Sequence, residues 1–566
     1  MCAEQQPPVK VVLCWHMHQP SYVDPQTDEY QLPWTYLHAI KDYVDMVAHL
    51  EANPEARAVV NFSPTLLEQV EDYARQIAGH LRDGSPLDDP LLRALAEPAL
   101  PRDAAKRHQL VRQCLRANEK HLINTHPPYK RLAELGRWLE RHPRHEHYLS
   151  DDFLADLLTW YHLAWLGETV RRNDRRARDL IHKASGFTAH DRRELVVLMG
   201  ELLSGVLGRY RRLAEAGRIE LSVTPYAHPI LPLLQDLGAA REGWPESSLP
   251  ELDHYPGGDE RAHWHVTHGL KVFERVFGFR PKGCWPAEGG VSAPTLAVLQ
   301  EHGFHWAATG GSVLDNSLQA GGQAVSPDPD WHRPCVLADG DIRCFFRDDG
   351  LSDLIGFSYS DWHGDDAVAN LVGHLETIAA NCADREQTVI SVILDGENAW
   401  EHYPHNGYHF LNALYRRLVE HPGLTMTTFE EACRVEPRRL NELVAGSWVY
   451  GTFSTWIGER DKDRAWDLLG EAKRAFDTHV GQLDADARAR AEHQLAICES
   501  SDWFWWFGEY NPDDTVKDFD HLYRLQLIAL YERLGIEPPE VLSHPFAHGS
   551  GDPAVGGVMR QGRADS

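Results

Sequence analysis

Short apolar runs bounded by turn residues recur along the first three quarters of the chain. They lie at 11–15, 58–62, 218–223, 282–285, 305–309, 342–346, 388–394 and 424–428. Runs this short, apolar throughout rather than at every second position, predict parallel strands buried on both faces. Between many of them the apolar positions switch to three- and four-residue steps, as across 292–302, which predicts helices. Strand and helix in alternation mean an α/β fold. Seven or eight strands spread over about 430 residues suit a TIM-like barrel with insertions better than a compact open sheet.

The largest interruption runs from about residue 65 to 215 and reads as almost wholly helical. Phe153, Leu154, Leu157, Leu158, Tyr161 and Trp165 fall on one helical face, so that face is buried. Most of this segment is expected to be a cap of packed helices without chemistry. Beyond about residue 436 the strand signals stop. Phe519, Leu522, Tyr523, Leu527, Leu530, Tyr531 and Leu534 mark a last amphipathic helix, which Gly535 and Pro538-Pro539 end. The expected organisation is a catalytic barrel over 1–435, a helical bundle over 436–542, and a Gly-, Ser- and Pro-rich tail over 543–566 whose composition predicts disorder.

Composition narrows the function. With 56 basic and 84 acidic residues the formal charge is −28, which opposes a nucleic-acid or anionic-membrane partner and leaves a neutral substrate open. Nine scattered Cys form no C-x-x-C pair, so neither a disulfide framework nor a thiolate zinc site is expected. The first apolar run is too short for a signal peptide, and no stretch approaches a membrane span. Together these features predict a cytoplasmic protein. Eighteen Trp are many, and flat aromatic faces are what sugar rings stack against.

In parallel barrels the active site collects at the carboxyl ends of the strands. Here strand after strand ends in polar or aromatic residues. The first runs into His16, His18, Gln19 and Pro20. The third contains Glu220 and leads to Tyr226 and His228. The fourth reaches Trp285 and then Glu288-Gly289-Gly290. The sixth gives Arg347-Asp348-Asp349, and the seventh, the most apolar, delivers Asp395-Gly396-Glu397-Asn398. A carboxylate at the end of a buried strand is costly unless it has partners or a task, although either acid alone can be a helix cap. Two carboxyl groups across a cleft are the minimal equipment for glycoside cleavage, one protonated to donate and one ionised to attack. Further on, 446–458 and 500–508 are aromatic and glycine-spaced. Trp503, Phe504, Trp505, Trp506 and Phe507 cannot share one helix face, so part of the row is expected in a cleft or at an interdomain contact.

At these residues the chain resembles glycoside hydrolase family 57. The matching stretches are His18-Gln19-Pro20, Gly217 to Glu220 with His228, Gly283 to Glu288, Asp395-Gly396-Glu397, and the aromatic stretch from Ser501 to Trp506, all in the family's order. The resemblance implies an incomplete (β/α)7 barrel followed by a helical domain. It implies retaining chemistry on α-1,4-glucans such as starch, glycogen or maltodextrin, without a metal cofactor. Glu288 would be the nucleophile and Asp395 the general acid/base. His16, His18, Glu220, His228 and Trp285 would line the reacting subsite, and Arg347, Trp456, Asp502 and Trp503 would contact substrate. The family contains α-amylases, amylopullulanases, 4-α-glucanotransferases and branching enzymes. An α-amylase-like hydrolase is the first expectation, and glucan transfer or branching by the same double displacement is the alternative.

Two other classes remain open at this stage. His16-x-His18 with acids from other strands can form a metal site, as in a metal-dependent polysaccharide deacetylase. A non-catalytic glucan-binding protein is the third class. Nucleotide chemistry is disfavoured, because no phosphate-binding glycine loop follows a strand.

Overall fold

The computed structural model describes residues 6–142, 149–325, 328–337, 340–551 and 559–562. Ten strands form one sheet: β1 (Val9–Met17), β2 (Ala58–Phe62), β3 (Ile219–Val223), β4 (Gly283–Cys284), β5 (Trp306–Thr309), β6 (Cys335–Leu337), β7 (Arg343–Phe346), β8 (Val389–Asp395), β9 (Leu424–Met426) and β10 (Arg438–Leu440). The order is β10-β6-β7-β5-β4-β3-β2-β1-β8, with β9 paired to β1. Every pairing is parallel except β6 with β7.

Seven of these strands curl toward closure. At the seam, β7 and β8 meet through a single parallel bridge between Arg347 and Ser391, with the Asp348 N–H donating to the Ser391 carbonyl at 2.8 Å. This is an incomplete (β/α)7 barrel. β1 carries the most pairing, with β8 along Lys10–His16, β2 along Cys14–Met17 and β9 along Val9–Val11. That explains its continuous burial from Val11 to Met17, since a strand flanked by neighbours and covered on both faces has no wet side.

All eight sequence-predicted strands are present. β6 and β10 are not predicted by the sequence pattern, because three-residue strands carry no readable period, and β10 lies just past the expected end of strand structure. The interruption after β2 is helical, from Pro64–Asp83 to the long Ala189–Glu215, which Thr188 and Asp191 open with reciprocal capping bonds. The C-terminal helices are Arg460–His479, Ala485–Cys498, Ser501–Trp506 and Asp513–Arg533.

The tail departs from its expected disorder wherever it is described. Phe546 and Ala547 donate backbone N–H groups to Asp520, the Gly551 N–H donates to the Asn511 carbonyl, and residues 559–562 pack back onto the barrel. Composition carries no information about such specific backbone contacts. The described cysteines are all unpaired, whereas Cys2 lies outside the described residues. No helix among the described residues is long and apolar enough to cross a membrane.

Candidate active site

A cavity of roughly 450 Å³ opens at the carboxyl ends of β1, β4 and β8. His16, His18, Gln19, His228, Glu288, Asp395, Glu397 and Asp502 line it, with Trp34, Trp165, Trp448, Trp505 and Trp506 as its aromatic walls. Thus β4 and β8, well separated in the sheet order, bring their two acids into one space.

Glu288 sits on a tight turn after β4. Its backbone is left-handed (φ 57°), as is that of Gly289 (φ 61°). A side-chain-bearing residue held there is strained by about 1–3 kcal/mol, and such strain concentrates at functional sites. Gly289 is required twice over. Its φ is positive, and a Cβ there would lie 2.9 Å from the Trp285 ring. The Trp448 indole N–H donates to Glu288 Oε2 at 3.0 Å, while the Trp448 backbone N–H donates to the Glu288 carbonyl at 3.0 Å. Burial pushes the Glu288 carboxyl well above the usual carboxylate range. The neighbouring Asp395 and Asp502 push it further, against the Trp448 bond and the Arg560 charge.

Asp395 ends β8 and accepts from Asn398 Nδ2 at 2.9 Å. Burial raises it to about 6, opposed by that bond and by the charges of His18 and Arg347. With both carboxyls raised by burial and Glu288 raised further by Asp395, the two do not ionise together cheaply, so the site favours holding a proton. Beside them, Glu397 accepts from the His18 backbone N–H at 3.2 Å, from Gln19 and from the Tyr43 hydroxyl, all on Oε1. Its Oε2 is buried without a partner, and burial and then Asp395 hold it well above its ordinary value. Burial and the Asp395 charge thus favour the protonated form of Glu397.

The imidazoles form an ordered row. Burial and then the proximity of His18 lower His16 to about 3, and burial and both neighbouring histidines lower His228 strongly, so these two rings are neutral. A neutral imidazole has one donor and one acceptor nitrogen. With the Asn61 carboxamide oxygen facing His16 Nδ1 at 2.7 Å, His16 Nε2 accepts from His228 Nε2 at 3.1 Å. His228 Nδ1 then accepts from the Ser501 hydroxyl at 2.9 Å. His18 donates to Asp502 at 2.8 Å and pairs with Ser63 at 2.7 Å. Ser501 and Asp502 come from the C-terminal helical unit, which is how that unit completes the site. His228 has φ 58°, a second strained residue facing the same cavity.

His18, His228 and Asp502 lie close enough to suggest a cation site. However, the two rings stack face to face, 3.7 Å apart and 11° from parallel, so their in-plane lone pairs run side by side rather than converge. Tetrahedral chelation needs convergence. The His16-x-His18 metal reading therefore finds no fitting donor geometry.

Five sequence-expected contact residues fall outside the cavity lining. Glu220 is the second residue of β3, hence at the amino end of the barrel. Its carboxyl accepts from the Trp306 indole and the Glu430 N–H and is raised to about 7 by burial. Trp285 is fully buried beneath the site, edge-on to Trp448 with centroids 5.3 Å apart. Arg347 is 2% exposed and spends its guanidinium on Asp349, Asp353 and the Ile393 carbonyl while lying over the Trp448 ring. Trp456 and Trp503 are core residues of the C-terminal unit, and Trp503 donates to the Ile497 carbonyl. The wall positions from the 503–507 row are instead Trp505 and Trp506. The helical insertion also contributes more than a cap, because Arg116, Asn118 and Trp165 reach the cavity and Arg116 pairs with Asp518 at 2.9 Å.

The model of the family "Glycosyl hydrolase family 57" matches residues 12–445. The fold is similar to that of a GH57 branching enzyme from Thermococcus kodakaraensis (14% identity, 93% of this chain and 90% of that one, TM-score 0.54). It is also similar to the α-amylase AmyC from Thermotoga maritima (16%, 95% and 96%, TM-score 0.54). A 4-α-glucanotransferase from Thermococcus litoralis aligns at 14% identity over 94% of this chain and 61% of that one, with TM-score 0.51. No curated protein sequence matches the chain.

Proposed function

Because the chain belongs to glycosyl hydrolase family 57, whose members are glycosidases and transglycosylases of α-glucans, we propose that it cleaves α-1,4-glucan by double displacement, with Glu288 as nucleophile and Asp395 as general acid/base. The observation that carries this reading is that these two acids, from β4 and β8, face one cavity, where the Asp395 charge raises the cost of ionising Glu288. Glu288 attacks the anomeric carbon as Asp395 gives its proton to the departing glycosidic oxygen, forming a covalent glycosyl-enzyme. Asp395, now ionised, removes a proton from water, which releases the sugar with its configuration retained. The Trp448 indole N–H supports the ionised form of Glu288. Asp502, tied to His18, retains carboxylate lone pairs to accept from sugar hydroxyls, while the neutral His16–His228 row, its ring nitrogens already engaged, packs beside the sugar.

A second reading is favoured by the wall of Trp34, Trp165, Trp448, Trp505 and Trp506, which offers a second glucan flat surfaces to stack on. In that case a sugar hydroxyl replaces water, and the product is a transferred or branched glucan. Reducing-end assay and chain-length analysis on amylose and maltotriose separate the two outcomes.

The test of the roles is chemical rescue of full-length Glu288→Gly and Asp395→Gly with azide. On the proposed assignment the first yields a β-glycosyl azide and the second an α-glycosyl azide. No rescue of either, or the same anomer from both, would remove the assignment.

A further inference from the structure

We infer that residues 559–562 form a strap that closes one end of the glucan cleft and limits the length of chain the protein accepts. The inference rests on the glucan-cleaving reading of the cavity.

The strap is held at both ends. The Arg560 guanidinium lies 4.6 Å from the Trp505 ring centroid and 4.6 Å from that of Tyr510, and it donates to Thr455 Oγ1 at 3.1 Å. Two residues on, the Gly562 N–H donates to Asp353 at 2.9 Å, and its carbonyl accepts from the Tyr450 N–H at 3.0 Å and the Ser312 hydroxyl at 3.3 Å. Gly562 fills a socket with no room for a side chain, since a Cβ there would lie 2.6 Å from Arg347 Nη1 and 2.7 Å from Asp349 Cγ.

The location gives the strap its consequence. Trp505 is a wall of the cavity, and a pyranose stacks on an aromatic face in the way a guanidinium does. Arg560 lies on the Trp505 ring outside the cavity lining, so the surface it covers is one that a glucan extending past that wall would stack on. Gly562 sits on Arg347, whose guanidinium lies over Trp448, the residue bonded to Glu288. Arg560 is also near enough for its charge to favour the ionised Glu288 carboxyl. A positive side chain is well placed beside a cavity lined by Glu288, Asp395, Asp502, Asp514 and Asp518. Five hydrogen bonds, including one from Arg560 Nη2 to the Trp505 carbonyl at 3.4 Å, and two cation–π contacts dock the strap.

The test uses the full chain carrying Arg560→Ser with Gly562→Leu, compared with the unaltered protein. Exchange of the Tyr450 amide, followed by mass spectrometry, reads whether the strap is docked. The ratio of kcat/KM on amylose to that on maltotriose reads its effect on chain length. Slow Tyr450 exchange in the unaltered protein, faster exchange in the variant and a rise of about tenfold in the ratio support the strap. Fast Tyr450 exchange already in the unaltered protein, unchanged exchange in the variant, or accelerated exchange with an unchanged ratio would each overturn it. Absence of turnover on any α-glucan by either protein overturns the reading of the cavity and the strap together. Turnover with an unaltered length profile overturns the strap alone.

Discussion

Replacing Trp448 with Phe removes a single hydrogen bond from a buried acid and leaves an aromatic ring in place. The lost bond runs from the indole N–H to Glu288 Oε2 at 3.0 Å. Phe can keep the contact with Trp285 and the surface beneath Arg347. A hydrogen bond to an ionised group contributes about 1.5–3 kcal/mol. The bond favours the ionised form, so its loss raises the Glu288 pKa. One unit corresponds to about 1.4 kcal/mol, which moves the acidic limb of kcat/KM upward by roughly one to two pH units. On the proposed roles Glu288 must be ionised to attack, so the variant loses about ten- to a hundredfold kcat/KM where Glu288 is protonated, and its deficit relative to the unaltered protein shrinks as pH rises. The assay is the pH profile of kcat/KM on a soluble maltooligosaccharide. Loss of activity by an equal factor at every pH would refute the reasoning, because it would make Trp448 a binding wall and not a partner of Glu288.

Other consequences follow from the same geometry. Asp395 is raised to about 6 and must be protonated to act as acid, so kcat/KM should fall as pH rises above about 6, and a profile flat to pH 9 would contradict that role. Asp502→Asn leaves the fold intact but weakens the hold on His18, and should lower kcat/KM about ten- to a hundredfold through one charged hydrogen bond; unaltered kinetics would exclude Asp502 from the site. Glu220→Gln should leave kcat/KM unchanged, since Glu220 lies at the opposite end of β3 from the cavity, and a tenfold loss would return it to the cleft. Ala184 ends the helix Arg175–Lys183 with φ 64°, so Ala184→Gly should raise the thermal midpoint by the equivalent of about 0.5–1 kcal/mol, and a lowered midpoint would count against strain there.

The sequence made the barrel legible because its strands are buried on both faces and read as uninterrupted apolar runs. The two acids proposed for catalysis were legible for a related reason. Glu288 and Asp395 each follow such a run, and the carboxyl end of a parallel strand is where a barrel presents its chemistry. Glu220 shows the limit of matching by motif. It falls at the second position of its strand, and strand direction alone puts it at the amino end. Arg347, Trp456 and Trp503 carry the right chemical types in the right neighbourhoods, but burial depends on what packs over them. Arg347 is enclosed by Asp349, Asp353 and a tail segment more than two hundred residues away. The same long-range packing hid Trp448 and Glu397 as members of the site. Trp448 lies in an aromatic stretch without a strand to orient it, and Glu397 lies two residues past Asp395, beyond the end of β8.

The most direct test of the account is to trap the intermediate. The protein is incubated with a 5-fluoro-α-glucosyl fluoride, digested with pepsin, and the labelled peptide is sequenced by mass spectrometry. The account predicts one fluoroglucosyl group, attached to the carboxyl of Glu288. A label on any other residue, or steady turnover of glucan with inverted anomeric configuration, would contradict it.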